Sequence, residues 1–269
     1  MNGKLYLVGI GPGSLEHMTY AARRAIEESQ ILIGYRVYID WIAKDPAGSS
    51  LLEGKQIIRK EITEERVRAR LSIEKACEGN IVALISGGDA GIYAMAGLVF
   101  EILSEWKESK TRLPPLEVIP GITAAQAAAS LLGAPLMNDF ACISLSDLLT
   151  PWDQIALRLQ AAAQADFVIC LYNPQSRQRT WQIQEARRIL LRYRSPETPV
   201  GIVSNAYREG QEVVITTLEK MIHHPIHMST VLIIGNRSTW VLDEWLVTPR
   251  RFSGSSCGDG FEGSGNFKK

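Results

Sequence analysis

Short apolar runs alternate along the chain with segments whose apolar residues recur every third or fourth position. Strands and helices in alternation are the expectation, and hence an α/β fold. Lys4 to Ile10 reads as a strand broken by Gly9-Ile10-Gly11-Pro12-Gly13. Met18, Ala21, Ala22, Ala25 and Ile26 then share one face of a helix over Met18 to Glu28. A strand at Ile31 to Gly34, a helix over Glu64 to Cys77 and a buried strand at Ile81 to Ile85 follow. A second glycine turn, Ser86-Gly87-Gly88-Asp89-Ala90-Gly91, leads into a helix from Ile92 to Trp106.

Lys110 to Pro115 interrupts the pattern with charge and two prolines, and we place a domain boundary there. Leu116 to Ile119 reads as a strand, Pro120-Gly121 as a turn and Thr123 to Leu132 as an alanine-rich helix. Strands at Phe140 to Leu145 and Asp166 to Tyr172 bracket a helix over Trp152 to Gln164. Gln178 to Tyr193 reads as helix, Val200 to Val203 as strand and Glu212 to Thr216 as an edge strand, with Val231–Ile234 and Val241–Val247 as a closing pair. The expectation is two unequal α/β domains with an active-site cleft between them. They span residues 1–115 and 116–252, followed by a disordered tail at 253–269 where apolar residues give way to Ser and Gly.

Composition narrows the function. The 29 basic residues balance the 29 acidic ones over 269 residues, and a neutral chain argues against nucleic-acid binding. No run reaches the roughly 18 apolar residues of a membrane helix, and the first residues lack a signal-peptide pattern, so a cytoplasmic protein is expected. Cys77, Cys142, Cys170 and Cys257 form no CxxC pair and read as buried reduced thiols. His223-His224-Pro225-Ile226-His227 lacks helical ligand spacing and an accompanying acid or thiol, so no metal site is expected.

The first glycine turn is not a dinucleotide fingerprint. Ser14 stands where the third glycine belongs, and no acid ends the second strand, where Ile33 is followed by Gly34-Tyr35. The turn after Ile85 sits at a carboxyl end of a sheet, where backbone N–H groups can hold a carboxylate and Asp89 can accept from an ammonium or hydroxyl group. Pro120-Gly121-Ile122-Thr123-Ala124 is a third such turn, with Thr123 as the expected N-cap. Three turns at strand ends point to a crevice that takes an amino-acid-like ligand.

The runs G-I-G-P-G, S-G-G-D-A-G-I-Y and I-P-G-I-T-A resemble the tetrapyrrole (class III) methyltransferases that use S-adenosylmethionine. Ile33 to Tyr38, Asp89 to Leu98, Pro135 to Phe140, Ile143 to Trp152 (I-S-L-S-D-L-L-T-P-W), Tyr172-Asn173-Pro174 and Ile234-Gly235-Asn236 are similar to its branch acting at C17 of a precorrin-3B or cobalt-precorrin-3 type ring. The likeness runs from Leu5 to Phe252 and implies C17 methylation with ring contraction in cobalamin biosynthesis. It implies cofactor contacts at Pro12, Gly87, Gly88, Asp89, Ile92, Thr123, Ala124, Tyr172 and Ala206, the last two where relatives often carry Met and Gly. Many relatives have Asp where this chain has Ser14. Ring contraction would enlist a proton-handling group, for which Asp147, Ser144, Ser146 and Tyr93 are the candidates, although the first three also suit a capping turn ahead of Pro151-Trp152. A polycarboxylate substrate calls for arginine, with Arg177 and Arg179 placed best and Arg36 and Arg237 next. The family also implies a homodimer. A methylase of another ring position (C11 or C20) and a non-catalytic tetrapyrrole carrier are the alternatives.

Overall fold

A computed structural model describes residues 3–108 and 113–250 of the chain. Its first sheet joins β1 (Lys4–Gly9), β2 (Ile31–Tyr35), β3 (Gln56–Lys60), β4 (Ile81–Ser86) and β5 (Leu116–Ile119) in the order β3-β2-β4-β1-β5. All four pairings are parallel. Leu5 and Leu7 of β1 point to the face covered by α4 (Glu65–Cys77) and α5 (Met95–Glu108), while Tyr6 and Val8 point to the face covered by α1 (Tyr20–Glu28) and α2 (Arg36–Lys44). The two-residue strand period thus feeds two cores, and each fully buried Leu or Ile contributes about 1.5–3 kcal/mol. The connection from β1 runs one way along the sheet and that from β4 runs the other. A crevice opens between their carboxyl ends at this reversal, where open α/β sheets bind ligands.

The expected division after Pro115 is corrected by β5, which pairs with β1 as the edge of the first sheet rather than opening the second unit. The chain crosses over at Pro120–Thr123, ahead of α6 (Ala124–Leu132). The tail at 253–269, Cys257 and Lys110 to Arg112 lie outside the described residues.

The second sheet contains β7 (Phe140–Ser144), β8 (Val168–Tyr172), β9 (Pro199–Ser204), β10 (Glu212–Thr217) and β11 (Thr230–Ile234), ordered β10-β9-β11-β8-β7. Strands β7, β8 and β9 run in one direction and β11 and β10 in the other. One face carries α7 (Trp152–Gln164) and α8 (Gln182–Leu190), and the other carries α6. The expected closing pair does not form. Strand β11 is central in the sheet, and β12 (Trp240–Leu242) instead forms a hairpin with β13 (Trp245–Val247), which takes up β6 (Gly133–Ala134).

Between β2 and α4 the fold adds α2, α3 (Pro46–Leu52) and β3, elements that apolar spacing alone does not mark. Helix α5 starts at Met95 rather than Ile92 because Tyr93 takes a left-handed backbone, φ 52°.

Candidate active site

The three glycine turns are packed into one unit. Gly11 and Gly88 exchange backbone hydrogen bonds of 3.0 and 2.7 Å, joining the turn after β1 to the turn after β4. A Cβ on Gly121 would lie 2.6 Å from the Gly9 carbonyl oxygen and closer still to that of Gly88, so the third turn nests against both others only as glycine. Asp89 fastens the arrangement, its two carboxylate oxygens accepting from the N–H groups of Gly91 (2.8 Å) and Gly121 (3.0 Å). The Asp89 carboxylate expected to face a ligand is therefore first of all a brace between turns. Thr19 adds a fourth tie, for its hydroxyl accepts from Ala22 N–H to cap α1 and donates to the Pro120 carbonyl at 3.2 Å.

The facing wall comes from the second sheet. Tyr172, at the end of β8, accepts the Ala125 N–H at 2.8 Å and shares a 2.7 Å hydrogen bond with the Thr123 hydroxyl. The N-cap role expected of the Thr123 side chain passes to Tyr172, since Thr123 makes no capping bond of its own. Burial pushes the Tyr172 phenol up to about 12, because a charged phenolate there would lack solvent. Ala124 and Ala206 pack against the apolar cluster to which Tyr172 belongs. Tyr93 reaches over from the first unit, its ring 5.0 Å from that of Tyr172, and donates to the Cys142 carbonyl at 2.9 Å. Ile92 and Tyr93 expose apolar surface at the same place. Asn173, Asn205 and Tyr207 at the exits of β8 and β9, and Tyr93 just ahead of α5, all hold positive φ, a conformation that collects at functional sites.

Ser144, Ser146 and Asp147 also end a strand here, but not as a helix cap, since α7 starts after Pro151 with no side-chain cap. The Ser144 oxygen accepts from Ser146 N–H (3.2 Å) and from the Asn173 amide (3.0 Å), and Asp147 accepts from Gln182 at 3.0 Å.

The arginine expectations fare unevenly. Arg179 is buried, and its guanidinium donates to the carbonyls of Leu145 (3.3 Å) and Asn173 (3.2 Å), which makes it a strut beneath this loop. Arg177 is exposed on the loop after β8, two residues before Arg179. Arg36 is engaged with Glu61 and Asp40 on the surface of α2. Arg237 follows β11, whose carboxyl end lies beside the start of β8, and its N–H binds Asp166. That position is the far end of the sheet from Tyr172 and rules Arg237 out of the crevice. Cys77 is exposed, against expectation, while Cys170 is buried and faces Cys142 across paired strands. His224 binds the Thr216 hydroxyl, and His227 accepts from Ser229 N–H.

A feature that spacing did not expose lies between the two units. A cavity of about 430 Å³ is lined by Gly13, Ser14, Trp41, Lys44, Tyr207 and Arg208, among others. Arg208 lies 4.3 Å over the Trp41 ring, and its stem crosses Gly13. Tyr207 stacks on His17 at 3.8 Å, and His17 bonds Ser14 at 2.6 Å. The signal in the sequence is proximity alone, as Tyr207 and Arg208 directly follow Ala206.

The family model for tetrapyrrole (corrin/porphyrin) methylases matches residues 4–222. The chain is 53% identical over 252 residues to the cobalt-factor III methyltransferase of Priestia megaterium, covering 94% of this chain and 46% of that protein. It thus spans about half the length of that relative. To the probable cobalt-factor III C(17)-methyltransferase of Salmonella typhimurium it is 46% identical, covering 93% of this chain and 99% of the relative. The crystal structure of the methyltransferase CobJ superposes with a TM-score of 0.84 at 33% identity, covering 92% of this chain and all of that one.

Proposed function

The chain belongs to the tetrapyrrole methylases, and from that membership we propose that it transfers the methyl group of S-adenosylmethionine to C17 of a cobalt-factor III or precorrin-3B type ring, with ring contraction, in cobalamin biosynthesis. The observation that carries the reading is the near full-length match to the Salmonella protein, which covers 99% of that relative.

The residues fit the cofactor. Gly88, with nothing nearer than 3.8 Å to the place a side chain would take, and the small Ala124 and Ala206 leave room for a ligand to approach the main chain, while Gly87 and Gly121 let the turn pack against Tyr38 and the neighbouring turns. Pro12 stiffens the first turn, Thr123 and Tyr172 supply hydroxyls, and Ile92 offers apolar surface for an adenine. Bound there, S-adenosylmethionine supplies an electrophilic methyl group on a sulfonium. The protein's own part is alignment, worth up to about 7–11 kcal/mol in a well-oriented displacement. Asp89 holds the turns that set that alignment.

Ser144 and Asp147 serve ring contraction as proton-handling groups, held by Asn173 and Gln182, with Ser146 behind them. Tyr93, with its hydroxyl donated to Cys142, positions the wall. Arg177 remains a rim contact for substrate. Homodimerisation belongs to the same reading and is supported by the exposed Trp240, Val241, Leu242 and Trp245 of the small sheet. A cytoplasmic, small-molecule enzyme rather than a nucleic-acid binder accords with the neutral charge, and no helix among the described residues is long and apolar enough to cross a membrane.

Incubation with methyl-labelled S-adenosylmethionine and metal-free or cobalt-loaded precursor, read by mass spectrometry and carbon NMR, tests the assignment. The expected product carries the label on C17 of a contracted ring. Label on C11 or C20 would reassign the position, and unlabelled precursor would leave only carriage.

A further inference from the structure

Arg208 is a guanidinium with donors to spare. Its Nη2 makes a long 3.4 Å bond to Asn205 Oδ1, its Nε is buried without a partner, and no carboxylate pairs with it among the described residues. Burial lowers its pKa, the sign of a cation removed from water without a counter-charge. The environment nonetheless fixes it in place. The Trp41 ring lies beneath its face at 4.3 Å. A Cβ on Gly13 would sit 2.6 Å from Arg208 Cδ, so the first glycine turn is open where the arginine stem crosses it.

The other charges around the cavity leave this donor free. Asp45 turns its carboxylate to the Ala47 and Gly48 N–H groups, capping α3, and Glu209 is exposed beside Arg208. Lys44, exposed and outside every ion pair among the described residues, also lines the cavity. Two cations thus flank a cavity of about 430 Å³ that opens beside Ala206 and the first glycine turn. That volume lies within the range of small-molecule sites, roughly 300–1,000 Å³, and accommodates one pyrrole ring with its acid arms rather than a whole macrocycle.

We propose that Arg208, backed by Trp41 and assisted by Lys44, anchors a carboxylate side arm of the tetrapyrrole substrate in this cavity. The inference rests on the methylase reading above and supplies the basic contact that Arg36, Arg179 and Arg237 do not. A guanidinium stacked on an indole offers its edge to a planar anion in a fixed orientation, so the contact sets the rotation of the ring relative to the cofactor turns as well as its affinity.

The cofactor also carries a carboxylate, and binding experiments separate the two sources. Calorimetry with uroporphyrin III, its octamethyl ester and S-adenosylhomocysteine is run on the wild type, Arg208→Gln, Arg208→Lys and Lys44→Gln. Loss of a charge-assisted bond predicts that uroporphyrin affinity falls about tenfold in Arg208→Gln and about threefold in Lys44→Gln, with substantial recovery in Arg208→Lys. S-adenosylhomocysteine binds all four equally, and the ester binds weakly to all. Because Lys44 is exposed, its variant keeps the test open if Arg208→Gln fails to fold. Uroporphyrin affinity unchanged in the variants that fold, ester binding as tight as the acid, or no uroporphyrin binding by a wild type that holds S-adenosylhomocysteine would each overturn the anchor. Weakened S-adenosylhomocysteine with uroporphyrin unaffected would overturn it in favour of the cofactor carboxylate. A wild type that binds neither ligand overturns the methylase reading itself.

Discussion

Asp89 accepts the N–H of Gly121 at 3.0 Å, across 32 positions of chain, and so ties the exit of β4 to the crossover between the two sheets. Its second oxygen holds Gly91 N–H. Asp89→Ala deletes both charge-assisted bonds at a junction made otherwise of backbone, at a cost of about 2–4 kcal/mol. Urea unfolding is expected to show that loss, and calorimetry at least a tenfold fall in S-adenosylhomocysteine affinity. A variant with wild-type values for both would show the brace to be dispensable.

The Tyr172 hydroxyl is the cap of α6, and Tyr172→Phe leaves Ala125 N–H and the Thr123 hydroxyl without it. An orphaned buried donor costs about 1–3 kcal/mol, measurable as a lower thermal midpoint. The pH dependence carries a second signature. The folded phenol titrates near 12, above the ordinary value of 10.0, so the fold favours the protonated form. That contribution is complete below pH 10 and is lost as the pH rises from 10 towards 12. Wild-type stability should fall across that window, and Tyr172→Phe should show a shallower fall. Parallel slopes would exclude Tyr172 as the titrating group.

Two glycines separate packing from propensity. A methyl group on Gly121 collides with the carbonyl oxygens of Gly88 and Gly9, which are backbone and cannot step aside. Gly121→Ala should therefore cost more than about 2 kcal/mol and open the cofactor turns. Gly97, inside α5, has nothing within 4 Å of the place a methyl group would take and no positive φ. Gly97→Ala should stabilise by about 0.5–1 kcal/mol through helix propensity and a less flexible unfolded chain. Thermal melts of the two variants should shift in opposite directions.

What sequence reasoning reached, and what it missed, follow one physical division. Buried parallel strands such as Ile81–Ile85 and turns such as Ser86–Gly91 announce themselves, because burial and backbone geometry restrict residue choice locally. Edge strand β3, with Gln56 and Arg59 exposed, carries no such restriction. Leu116–Ile119 was legible as a strand but not as a member of the first sheet, since pairing with β1 is decided more than 100 residues away. The same holds within the site. Gly87 and Thr123 belong to motifs, whereas Arg208 acquires its role only when the loop after β9 folds against Trp41 and Gly13. Arginines beside motifs mislead for the converse reason, because side-chain destination is not a local property.

Arg179 and Arg237 put that last point to the test. Arg179 lies two residues beyond Arg177 on the loop after β8, yet its guanidinium supports the Leu145 and Asn173 carbonyls from within. Truncation leaves both carbonyls short of a donor and a void where the stem packed, so Arg179→Ala should destabilise by about 2–4 kcal/mol. Its effect on turnover should follow from misplacement of Ser144 and Asn173, which sit at the two strand exits that Arg179 ties together. Arg237 is exposed at the opposite end of the sheet, and the contact it makes there is a backbone bond to Asp166 that alanine preserves. Arg237→Ala should leave stability within about 0.5 kcal/mol of wild type and kcat/KM within experimental error. A substantial rise in KM for the tetrapyrrole in Arg237→Ala would mean that substrate reaches around the second sheet, which the distance from Tyr172 to that edge argues against.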